Sequence, residues 1–169
     1  NGTVSFTEHG VSADALQGRF ADLPLQLHID AEEGSRGIVR GSFPFAPQAD
    51  GSGASQFVPS FLRPLLTGSS QWQLELPLRE TDNALRLRSD LLGTAVALPA
   101  PLGKDAGQAA DLTLRIGGDE QAPVRIGVGY DNRIGIDVIV APEDTAWRTS
   151  GVHARLGATE APAATTPRS

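Results

Sequence analysis

Cysteine and methionine are both missing from the 169 residues. Without thiols there are no disulfides, no thiolate metal ligands, no cysteine nucleophile and no thiol redox chemistry. That absence fits any compartment. With no methionine at position 1 and no signal peptide at its start, the chain reads as a processed or excised piece. No apolar run approaches the ~20 residues that span a bilayer, so any membrane anchor is expected outside this piece. Aromatics are scarce, with six Phe, two Trp and one Tyr, too few for a base-stacking platform. Basic residues number 14 against 20 acidic, a net charge of −6. This argues against a phosphate-binding surface and against nucleic acid as a partner, since such surfaces gather Lys and Arg.

What the chain has in quantity is alternation with period two, the mark of half-buried strands. It is clear in Leu25–Asp30, Leu74–Leu76, Leu85–Arg88, Leu112–Ile116, Val124–Val128 and Ile134–Val138, and it returns in Val152–Leu156. Thr3–Thr7, Ala15–Phe20 and Gly37–Phe43 complete a set of nine or ten strands. Nearly all have one apolar and one polar face, whereas parallel strands buried on both sides read as continuous apolar runs. The expected fold is mainly β, with a mostly antiparallel sheet.

Breakers divide the strands. Pro44–Ser55 and Leu98–Gly107 are rich in Pro and Gly and read as irregular. Between them, Gln56–Leu66 spaces Phe57, Val58, Phe61, Leu62, Leu65 and Leu66 as one short amphipathic helix would, with Pro64 ending it. One domain is expected over residues 1–157, followed by a disordered Ala/Thr/Pro tail at 158–169.

A search for chemistry returns little. There is no Gly-x-Ser-x-Gly elbow and no Ser-x-x-Lys pair. His9, His28 and His153 lie far apart, and the last two fall on the polar phase of their strands, where solvated surface histidine is the reading. Gly127-Val128-Gly129 opens like a dinucleotide fingerprint, but Asn132 stands where the third Gly belongs. Asp50–Gly53 and Gly118–Glu120 are turn chemistry rather than calcium loops. The adjacent carboxylates Glu32-Glu33 and Glu143-Asp144 read as solvated charge. No catalysis, cofactor or metal is expected.

Strand parity predicts two hairpin registers, because opposed residues in an antiparallel pair share a face. Around Asp131 an odd loop is needed; Tyr130-Asp131-Asn132 would set Val128 against Ile134, with Asn132 left-handed. Between Leu78 and Leu85 an even loop is needed. Glu80–Asn83 would set Leu78 against Leu85 and Leu76 against Leu87.

Pooling the apolar phases puts Leu25, Leu27, Ile29, Leu74, Leu76, Leu85, Leu87, Leu112, Leu114, Ile116, Val124, Ile126, Val128, Ile134 and Ile136 on one side of the sheet. One short helix cannot cover so many strands. The face is therefore buried either by the sheet folding on itself as a sandwich or by a ligand lying in a trough.

Three further runs carry a family resemblance: Leu66-Thr67-Gly68-Ser69-Ser70-Gln71-Trp72, Ser89-Asp90-Leu91-Leu92-Gly93, and above all Leu98-Pro99-Ala100-Pro101-Leu102-Gly103-Lys104. Together with Phe6–Val11 and Leu23–Leu27, they make about two thirds of the chain similar to the YhdP family of AsmA-like envelope proteins, with the match fading after Val140. The resemblance implies a periplasmic segment of a long chain anchored elsewhere in the inner membrane of a Gram-negative cell. It implies that the sheet is a curved, open antiparallel trough rather than a sandwich, and that phospholipids move toward the outer membrane without enzymatic chemistry, the fifteen apolar residues contacting acyl chains. Phospholipid acyl chains and adjoining segments of the parent chain are then the partners. Without it, a structural or protein-interaction sandwich would explain the same pattern. Lys104 is expected as a surface lysine closing a Pro-rich turn.

Overall fold

The computed structural model describes residues 3–7, 10–20, 22–32, 36–48, 50–78, 84–118, 123–143 and 146–157. The expected tail at 158–169, His9 and the loop at 79–83 lie outside them. Among the described residues twelve strands occur in chain order: β1 Thr3–Thr7, β2 Gly10–Phe20, β3 Leu23–Glu32, β4 Arg36–Phe45, β5 Leu66–Gly68, β6 Ser70–Leu78, β7 Leu85–Ser89, β8 Thr94–Val96, β9 Leu112–Gly117, β10 Val124–Tyr130, β11 Ile134–Glu143 and β12 Ala146–Leu156. Ten of them form one sheet in the order β1-β2-β3-β4-β6-β7-β9-β10-β11-β12, while β5 and β8 make a separate pair. Every pairing is antiparallel.

The sheet is open, with β1 and β12 as its two edges. Its sequence order is nearly its spatial order because almost every connection is a hairpin, the local solution for alternating strands joined by short breaker segments. The two long connections, 46–69 and 90–111, leave from the same end of the sheet. They fold there into a cap that contains β5 and β8.

The expected helix over Gln56–Leu66 does not form. Two 3-10 turns stand in its place, Gly53–Phe57 and Arg63–Leu65. Pro59 and Pro64 each remove a backbone donor, and the spacing between them is too short for a stable α-helical nucleus. Phe57 and Phe61, expected to pack inward, are 65% and 71% exposed.

Both hairpin parities hold and both registers shift. At β10–β11 the loop is odd, but it comprises Asp131–Arg133, so Tyr130 faces Ile134 and Val128 faces Ile136. Asp131 and Asn132 are left-handed, with φ of 46° and 53°, and Arg133 N–H donates to the Tyr130 carbonyl at 2.9 Å. Two consecutive left-handed residues close the turn one residue later than a single left-handed Asn would. At β6–β7, Leu74 rather than Leu76 faces Leu87. A two-residue slide keeps every side chain on its face, so the hydrophobic pattern cannot detect it.

Candidate functional site

The pairing registers bring all fifteen predicted apolar residues to one face. One unbroken cross-strand row runs Leu16, Leu27, Gly41, Leu74, Leu87, Leu114, Val128, Ile136 and Ala154 across nine strands. Beside it lies a row that pairs Ile29 with Val39 and Leu76, then Leu85 with Ile116, Ile126, Val138 and Val152. Leu25, Leu112 and Ile134 belong to a third row nearer the cap, and Val124 faces Val140 at the far end.

Each of the fifteen is half-buried; none is buried and none is fully exposed. A closed sandwich would bury leucines in such central positions. Among the described residues the largest fully buried side chain is instead Ser55, in the cap. With strands about 4.8 Å apart, ten of them present a face about 45 Å wide and on the order of 1,000 Å². A soluble monomer's largest apolar patch is about 300–600 Å².

Sequence reasoning missed several members of this face. Val39, Val138 and Val140 continue the alternation of neighbours already chosen and could have been found by extending it. Phe43 and Trp72 were harder to place, because their strand ends run into loop-like composition. Trp72 faces Phe43 in register and sits between two rings, stacked on Phe43 at 6.5 Å and edge-on to Phe45 at 6.1 Å. At 7% exposure it is where the open face ends and the cap begins.

The cap is assembled from the three motif runs. Gly68 and Gly93 adopt φ of 92° and 94°, and the Gly93 carbonyl accepts the Ser69 N–H at 3.1 Å. Ser89 Oγ donates to the Gln71 carbonyl at 2.7 Å and accepts the Leu91 N–H at 3.0 Å. Those bonds join the first two runs. The third run returns against β8, which follows the second: Val96 and Lys104 exchange both backbone hydrogen bonds, at 2.9 and 3.1 Å, and Gly93 N–H, at the end of the second run, donates to the carbonyl of Ala106, just beyond the third, at 2.8 Å. Leu91, Val96 and Ala110 are buried inside.

Lys104 is not the surface lysine expected. Its ammonium donates to the Leu91 carbonyl at 2.9 Å and to the Thr94 carbonyl, tying the second run's turn to the third run. Desolvation pushes its pKa below the ordinary lysine value, with Asp90 and Asp105 opposing. From the sheet, Tyr130 Oη donates to the Leu102 carbonyl at 2.8 Å, and Arg133 donates to the Pro101 carbonyl. These bonds dock the Leu98–Lys104 loop on the β10–β11 hairpin.

The family model described as YhdP protein matches residues 1–168. The chain belongs to the YhdP family. The match continues through β11 and β12, past Val140, where the motif-based resemblance fades. Comparison with curated proteins and with solved structures gave no match. In this YhdP-family chain the three motif runs therefore build one structural element, the cap. His28 and His153, far apart in sequence, are exposed on the polar face, opposite Arg40 and Asp137.

Proposed function

We propose that this chain is one segment of a lipid-binding trough in a periplasmic, inner-membrane-anchored protein that helps move phospholipids toward the outer membrane. The reading is carried by one observation: fifteen apolar residues form a continuous half-buried face, with no second layer over them among the described residues. Family membership supports it. Acyl chains lying on such a face gain about 25 cal/mol per Å² of apolar contact. No polar contact is needed, and no bond is made or broken. The aliphatic character of the face suits chains of varied length and unsaturation. The cap closes one end of the face and leaves the lateral edges, β1 and β12, for adjoining segments of the parent chain.

The test is photo-crosslinking from probes at Leu76 and Ile126 in the purified chain, combined with native mass spectrometry and melting of the same variants. The expected result is covalent phospholipid adducts, reduced in Leu76→Asp and Ile126→Asp chains that still melt cooperatively. A well-folded chain that captures no lipid at either position overturns the trough. Crosslinks to a second copy of the chain instead would favour an interaction module.

A further inference from the structure

The opposite face of the sheet holds a separate feature. The registers align Arg40 with Glu75, Glu75 with Arg86, and Arg86 with Arg115 across β4, β6, β7 and β9. Arg88 stands one same-face step along β7 from Arg86. All five line an open hollow of about 1,100 Å³, and among the described residues Glu75 is the sole acidic one in its lining. Arg86 Nη1 lies 3.2 Å from Glu75 Oε1, which holds that guanidinium in place. Beside Arg115 the register position is Gly127, which has no side chain to fill the floor. Among the described residues, a chain of net charge −6 thus sets four guanidiniums and one carboxylate around this hollow. Opposed residues on adjacent strands have Cα atoms about 4.5–5.5 Å apart, so a single small ligand spans several of them.

We propose that this hollow binds a phosphate-bearing anion. The guanidinium fork pairs two N–H donors with two oxygens of one group. A phosphate group offers three or four oxygens and more than one negative charge, so two or more forks share it. The site lies on the face opposite the apolar rows and stands whether or not those rows bind acyl chains.

The test uses two probes, inorganic pyrophosphate and sedimenting vesicles of phosphatidylglycerol, with phosphatidylcholine vesicles as the neutral reference. Pyrophosphate raises the melting temperature of the chain in a saturable, salt-sensitive manner. The effect weakens at least tenfold in concentration in R86Q/R115Q and is unchanged in R19Q, an arginine outside the hollow. Should the double variant fail to fold, R88Q, at an exposed position, carries the same expectation. Arginine-dependent sedimentation with phosphatidylglycerol alone assigns the anion to a lipid headgroup. A pyrophosphate response without sedimentation assigns it to a soluble phosphate. No response to either probe, or equal responses in R19Q and R86Q/R115Q, overturns the site.

Discussion

The Gly93 carbonyl oxygen occupies the place a β-carbon on Gly68 would take, and the Ser69 carbonyl oxygen occupies the place of one on Gly93. The two glycines, 25 positions apart in sequence, are mutually exclusive with any side chain. Both also hold positive φ, 92° and 94°, a region L residues enter only at a cost. This reciprocal contact is where two of the motif runs lock together.

Gly68→Ala and Gly93→Ala are each expected to lower stability by about 2–4 kcal/mol, from backbone strain together with overlap against a carbonyl that cannot move aside. Gly107→Ala serves as the reference. A β-carbon there meets nothing within 4 Å, and its change should stay within about 0.5 kcal/mol. Urea denaturation of the three variants checks this.

Lys104→Met keeps the length of the stem and removes two donors from the Leu91 and Thr94 carbonyls. Loss of charge-assisted hydrogen bonds predicts about 1.5–3 kcal/mol of destabilisation. Hydrogen exchange should rise first in the cap, at the Gly93 and Val96 amides, before the amides of β3 and β4. Unchanged protection in the cap would show that the ammonium does not hold it.

Tyr130 gives a pH signature. Desolvation, helped by Asp131 and opposed by Arg133, raises its phenol above the ordinary value of 10.0. The folded chain therefore keeps the proton that the unfolded chain loses. Its contribution is complete below pH 10 and is lost as pH rises through the folded pKa. Ionisation would also remove the hydrogen bond to Leu102. Tyr130→Phe is expected to cost about 1 kcal/mol at neutral pH and to lack this alkaline loss. Lys104, whose pKa is lowered, contributes in the opposite direction in both chains, so the difference between the two pH profiles isolates the phenol.

The open face and the cap should answer differently to truncation. Trp72→Ala empties a buried site between two aromatic rings and should cost about 3–5 kcal/mol. Leu114→Ala, in the middle of the half-buried row, should cost less than the 2–5 kcal/mol of a buried leucine, about 1–2 kcal/mol. A cost at Leu114 equal to a full core deletion would mean that the face is covered in solution.

Much of the fold was legible because a strand's alternation is local. Ten runs announced their strands, and the parity of hairpins such as Asp131–Arg133 followed from which residues had to share a face. Register within a parity was not legible. A two-residue slide leaves burial unchanged, and only the loop geometry, with Asp131 and Asn132 both left-handed, picks one alignment. The missing helix at Gln56–Leu66 shows another limit: apolar spacing states which residues want burial, while Pro59 and Pro64 decide that the backbone cannot supply it by helix.

The sequence by itself determined a one-sided antiparallel sheet and the membership of its apolar face, since period-two patterning is written residue by residue. Tertiary structure alone decided three other things. Among the described residues it left that face without a second layer, because nothing in a strand's pattern says whether one will cover it. It joined three distant motif runs into one cap, because Gly68 meets Gly93 and Lys104 reaches Leu91 only after the long connections fold back to the same sheet end. And it set Arg40, Arg86, Arg88 and Arg115 side by side on the polar face, because charges spread over 76 positions become neighbours only through strand register.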